Sequence, residues 1–185
     1  SASNYFPFKE GNWWDYTNED LYNPVSINIT VEAPTKILNY ECLPFNVSGN
    51  FHYYYKGSEG IREYIKIIKS YGGTNYTLLE GFILRLELPL IIGNKFIDSL
   101  VDSLNFFGQG IKIRYIINGL VSDYKQDEIY GEVYRVIIKR YQSLETQDSI
   151  IAKEEFIEEY YAPGIGMIEF KNSDGRFRLK DFYIK

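Results

Sequence analysis

Apolar and polar residues alternate with a period of two in stretch after stretch of this chain, and that rhythm constrains the fold more than any other feature. In SINITVEA (26–33), Ile27, Ile29 and Val31 share one face and Ser26, Asn28, Thr30 and Glu32 the other. A strand with one buried and one wet face has this pattern. HYYYKGSEGIREYIKIIKS (52–70) reads as a hairpin around the glycine-containing turn at 56–60. Ile61, Tyr64, Ile65 and Ile68 in it also satisfy helical spacing, but its β-branched content favours strand. NYTLLEGFILRLELPL (75–90), GIKIRYIING (110–119), GEVYRVIIKRYQSL (131–144) and RFRLKDFYIK (176–185) continue the series, the last with Phe177, Leu179 and Tyr183 on one face. SIIAKEEFIEEYY (149–161) fits neither period well and is read as strand. KFIDSLVDSLNFF (95–107) instead sets Ile97, Leu100, Val101 and Leu104 in one stripe opposite Asp98, Asp102 and Ser103, which predicts a helix. The expectation is a single domain over 1–185 with no linker. It is mainly β, a large curved antiparallel sheet or partly open barrel with one short helix at about 95–107.

Composition supports the strand reading and excludes several functions. The chain has 18 Tyr and 12 Phe, residues that suit a pleated, half-buried surface. Its net charge of −5 comes with no Lys/Arg cluster, so the electrostatic footprint of a nucleic-acid binder is missing. One cysteine, Cys42, and one histidine, His52, exclude an internal disulfide and Cys/His zinc sites. The two are read as a buried thiol and an unrelated imidazole. No apolar run reaches the ~18 residues of a membrane-spanning helix. Ser1 to Asn4 read as the start of a processed product whose targeting peptide has been removed.

Two stretches repeat one another. Pro7-Phe8-Lys9-Glu10-Gly11-Asn12-Trp13-Trp14 and Pro89-Leu90-Ile91-Ile92-Gly93-Asn94-Lys95-Phe96 share P-[FL]-x-x-G-N-x-[WF]. Proline stiffens the approach, Gly-Asn tolerates positive φ, and the following aromatic anchors the next element. The two turns are expected to be structural equivalents, each launching an element with a buried aromatic: Trp13 or Trp14 in the first, Phe96 in the second.

The opening YFPFKEGNWWDY resembles the start of a broad group of bacterial secreted proteins and lipoproteins. LELPLIIGNKF resembles their mid-chain element, and EEYYAPGIGMIEF their closing one, carried here by Tyr160, Tyr161, Pro163, Gly164 and Gly166. The aromatic triplet of that closing element is Glu159-Tyr160-Tyr161 here, without a tryptophan. The resemblance implies an exported, mostly β envelope protein, periplasmic, outer-membrane-associated or secreted, commonly tethered through a lipidated N-terminal cysteine that is absent from this stretch of chain. It implies no activity.

No catalytic constellation or metal loop is legible, and no cofactor is expected. Glu154, Glu155, Glu158 and Glu159 read as a solvated face, as do Asp98 and Asp102. The leading expectation is a non-catalytic protein that binds an apolar small molecule or lipid, or serves as a scaffold for an envelope protein. One alternative is carbohydrate binding through exposed aromatics, with Trp13, Trp14, Tyr53 and Tyr55 as candidates. Another is a glycoside hydrolase using two carboxylates, which requires two acids facing one cleft.

Overall fold

The computed structural model describes residues 5–20 and 22–185, so the reading of Ser1 to Asn4 lies outside the described residues. Thirteen strands follow one another among them: β1 Trp13–Asn18, β2 Ser26–Val31, β3 Thr35–Ile37, β4 Tyr40–Val47, β5 Asn50–Lys56, β6 Gly60–Tyr71, β7 Thr74–Glu87, β8 Lys95–Phe106, β9 Gln109–Asp127, β10 Gly131–Glu145, β11 Ile150–Ala162, β12 Gly166–Asn172 and β13 Gly175–Tyr183. Every ladder is antiparallel, and apart from the short β3, which pairs with β4, each strand lies beside its sequence neighbour. The path runs from β7 back to β1, across to β13, and down to β8. The result is a twelve-strand, nearly closed barrel.

Local chemistry sets this up-and-down order. The turns Leu38-Asn39, Ser48-Gly49, Gly72-Gly73 and Phe107-Gly108 hold both central residues at positive φ. That twist matches the strands it joins and returns the chain to its neighbour. The ladder β1–β13 joins the two ends of the chain, Trp14 opposite Phe182 and Tyr16 opposite Leu179. At the other junction, β7 and β8 lie side by side without a ladder. There side chains close the wall. Asp98 Oδ2 accepts the Leu84 N–H at 2.8 Å and pairs with Arg62 at 3.1 Å, and Leu100 packs over Gly81.

The helix expected at 95–107 is strand β8. Phe96, Asp98, Leu100, Leu104 and Phe106 turn inward on a period of two, while Ile97 and Val101 face outward and stay exposed. Apolar residues on both faces of an edge strand imitate a helical stripe. Asp98 also departs from the solvated reading, since it is the seam's polar fastener. The segment 149–161 is strand, as read. Tyr183 leaves the face it was assigned, because a bulge falls where Asp15 pairs with Asp181 and Tyr16 already with Leu179. The extra residue flips the parity, so Phe182 packs inward and Tyr183 outward.

The two Gly-Asn turns are equivalent in hydrogen bonding. Gly11 N donates to Val31 O and Val31 N to Asn12 O, each at 2.9 Å, while Asn12 N reaches Lys9 O. Gly93 N donates to Val121 O, Val121 N to Asn94 O, and Asn94 N to Ile91 O. The glycine φ values are 86° and 88°. Trp14 and Phe96, each three residues after its glycine, are 4% and 6% exposed. Trp13 is partly exposed, so the anchor of the pair is Trp14.

Candidate functional site

The first and last sequence landmarks meet at one end of the barrel. Trp14 Nε1 donates to Ile165 O at 2.7 Å, and Tyr16 OH to Met167 O at 2.6 Å. Gly164 and Gly166 both hold positive φ, and a side chain on Gly166 would strike the Pro7 ring. The segment Tyr5–Phe8 runs across the barrel there. Phe6 packs on Phe45 and Tyr54, and Tyr5 on Tyr134. Pro163 itself is exposed beside the bend. Pro89 follows a cis peptide bond and sets Leu90 into the core.

Behind that strap lies a cavity of about 80 Å³. Its wall is apolar over Phe6, Trp14, Ile29, Phe45, Val47 and Met167, and polar over Tyr54, Arg85, Glu159 and Tyr161. At about 30 Å³ per liquid water, the space suits a short alkyl group or a few waters.

The polar wall belongs to a buried ionic network inside the barrel. Arg85, 7% exposed, pairs with Glu159 and lies 3.5 Å from Glu63. Glu63 is also met by Arg140 at 3.4 Å and by His52 Nδ1 at 3.1 Å. Tyr161 OH donates to Glu159 at 2.7 Å. Burial pushes the Glu63 carboxyl up, but Arg140, the His52 hydrogen bond and Arg85 outweigh it and hold the pKa at about 2. Burial likewise works against the Arg85 charge, and Glu159, Tyr161, Tyr54 and Glu63 together more than offset it. Arg85 Nε and Nη1 have no acceptor among the described residues.

The solvated reading of the glutamate cluster is therefore corrected at one position. Along β11, Glu154 and Glu158 face outward and Glu155 lies half-buried, whereas Glu159 is buried at 4% exposure. Charge in the interior is also why 149–161 fits no simple amphipathic period. Cys42 is buried with its thiol near Tyr40 O, and His52 pairs with Glu63, so the two are unrelated as read.

Tyr53 and Tyr55 are partly exposed in β5 and share their ring faces with neighbours, Phe51 against Tyr53 and Tyr40 against Tyr55. It is Tyr54 between them that reaches the cavity. Tyr161 is buried in the network, whereas Tyr160 lies on the other face under Lys125. Glu63, Arg85 and Arg140 carried no sequence signal beyond sitting in strands. In an isolated strand, a charged residue reads as the wet face.

No family model matches the chain, and no curated protein matches it. Among solved structures it is similar to a chain described as a putative lipoprotein from Parabacteroides distasonis. That likeness has 12% identity and a TM-score of 0.42, and covers 99% of this chain and 100% of the other. It is also similar to one described as a putative exported protein with YmcC-like fold from Bacteroides fragilis, at 12% identity and a TM-score of 0.35, covering 97% and 99%.

Proposed function

We propose that the protein is a non-catalytic, extracytoplasmic binding barrel that takes an apolar group into the cavity behind Phe6 and Trp14. The observation that carries this reading is the partly enclosed apolar wall with a few polar groups converging on it, the lining chemistry of a small-molecule site at a smaller volume. The extracytoplasmic placement rests on the three sequence landmarks. The non-catalytic part is supported by the network's charge pattern. A general acid needs a carboxyl whose pKa lies near the working pH, and Glu63 is held far below it. The buried carboxylates are matched to guanidinium groups rather than set against each other, which fits an orienting role better than acid–base work.

A neutral probe of the cavity's size, the short alkanol 1-butanol, tests the reading through Trp14 emission. Saturable binding that quenches or shifts Trp14 emission is expected, and Val47→Phe, which fills the cavity, should weaken it about tenfold or more. A folded parent protein that binds no apolar probe, or a Val47→Phe variant that binds as tightly as the parent, would remove the proposal.

A further inference from the structure

A second pocket, of about 310 Å³, lies on the other side of Phe6 and Pro7. Three lysines from distant parts of the chain line it: Lys9 in the strap, Lys56 at the end of β5, and Lys185 beyond β13. Among the described residues, no carboxylate side chain lines it. None of the three lysines forms an ion pair among the described residues, whereas Lys66 lies 3.5 Å from Glu80 and Lys139 2.9 Å from Glu154. In a chain of net charge −5, three lysine side chains around a pocket lined by no carboxylate side chain form a local reversal of sign. Their placement is built rather than free. Lys185 N donates to Asn12 Oδ1 at 3.0 Å, and Asn12 Nδ2 in turn to Pro7 O at 3.2 Å. The Lys185 side chain lies over Gly11, in the space a Cβ would occupy. Beside the lysines and Asn12 the pocket has an apolar side, with Phe8 and Ile184 joining the two residues it shares with the inner cavity.

We infer that this pocket is an anion-binding site, and that its ligand is an amphiphile with one carboxylate or phosphate head and an apolar chain. The lysines receive the head by charge attraction in a partly enclosed space. The chain lies along Phe6, Pro7 and Phe8, the strap that separates this pocket from the cavity. The inference rests on the reading of the molecule as a binding barrel and names the head group of its ligand.

Calorimetry with octyl phosphate, octanoate, octanol and inorganic phosphate tests it. Octyl phosphate and octanoate should bind at least about tenfold more tightly than octanol at low salt, and lose that margin as salt screens the lysines. The triple variant K9Q/K56Q/K185Q, altered only at exposed positions, should lose the margin while keeping its circular dichroism and its binding of the neutral probe. Equal affinity for octanol, an unchanged triple variant, or inorganic phosphate binding as tightly as octyl phosphate each overturns the inference. So does binding to phosphatidylglycerol vesicles, but not phosphatidylcholine ones, without uptake of the free amphiphiles, since the lysines would then be reading a membrane surface. If the anionic amphiphiles bind through the lysines and the neutral probe does not bind at all, the inner-cavity reading fails and the lysine site stands.

Discussion

Phe96 and Gly119 face one another across β8 and β9, and the ring occupies the volume where a side chain on Gly119 would sit. A Cβ built there would lie 1.9 Å from the Phe96 ring, inside any tolerable contact. Gly119→Ala should therefore cost roughly 1–3 kcal/mol through overpacking. Phe96→Ala, which empties a buried site, should cost about 3–5 kcal/mol. Because the partners touch, the double variant should fall short of the sum, which urea denaturation midpoints would show. Glu63 gives the residue scale its pH dependence. Its folded pKa, about 2, lies below the usual carboxylate value of 4.5, so its contribution to stability is present above that value and is lost as pH falls toward 2. Melting temperatures measured from pH 6 down to pH 3 should decline, and Glu63→Gln should start lower at pH 6 and decline less steeply. A parallel decline in both proteins would place the acid sensitivity elsewhere.

At the scale of elements, the seam strand β8 shows what a sequence can and cannot reveal. Alternation was legible in β2 and β9, whose inner faces are continuously apolar: Ile111, Ile113 and Ile117 are all buried. It was illegible in β8, where the outer face carries Ile97 and Val101 and the inner face carries Asp98. It failed at the site for the same reason, since Glu63, Arg85 and Glu159 occupy inward positions that a period-two reading reserves for apolar residues. The turns were legible because Gly-Asn chemistry is local, and the partners of Asp98 were not, because they come from β6 and β7. Removing that carboxylate strands the Leu84 N–H and leaves the Arg62 guanidinium with Glu59 alone. Asp98→Ala should destabilise by about 1–3 kcal/mol, with faster hydrogen exchange at the Leu84 amide. Asp98→Asn keeps an acceptor for that amide and should restore most of its protection. If Leu84 exchanges equally in all three proteins, the carboxylate does not fasten the seam.

The whole molecule is two six-strand meanders, β1, β2 and β4 to β7, then β8 to β13, each launched by a Gly-Asn turn with a buried aromatic three residues after the glycine. Their two junctions are not alike. Strand β1 is hydrogen-bonded on both sides, to β2 and β13, and is further tied by Trp14 and Tyr16 to the β11–β12 bend. Strands β7 and β8 are each hydrogen-bonded on one side and meet through side chains. Backbone N–H groups with no ladder partner exchange with solvent at low opening cost, and an unpaired edge is where a barrel parts first. Hydrogen exchange followed by mass spectrometry should therefore show peptides from 74–87 and 95–106 taking up deuterium well before peptides from 13–18 and 175–183. In mild denaturant the gap should widen, because the seam opens as a unit while the clasp between the chain ends persists until global unfolding. Uniform protection around the barrel, or earlier exchange in β1 and β13, would show that the ladder between the ends does not outlast the seam. The cavity's apolar wall comes from the strap, β1, β2, β4 and β12, on the side the clasp holds, whereas Arg85 of its polar wall comes from the seam strand β7. Seam opening should accordingly disturb the Arg85 wall and spare the apolar one, so denaturant concentrations that free the 95–106 amides should weaken but still permit saturable binding of the neutral probe.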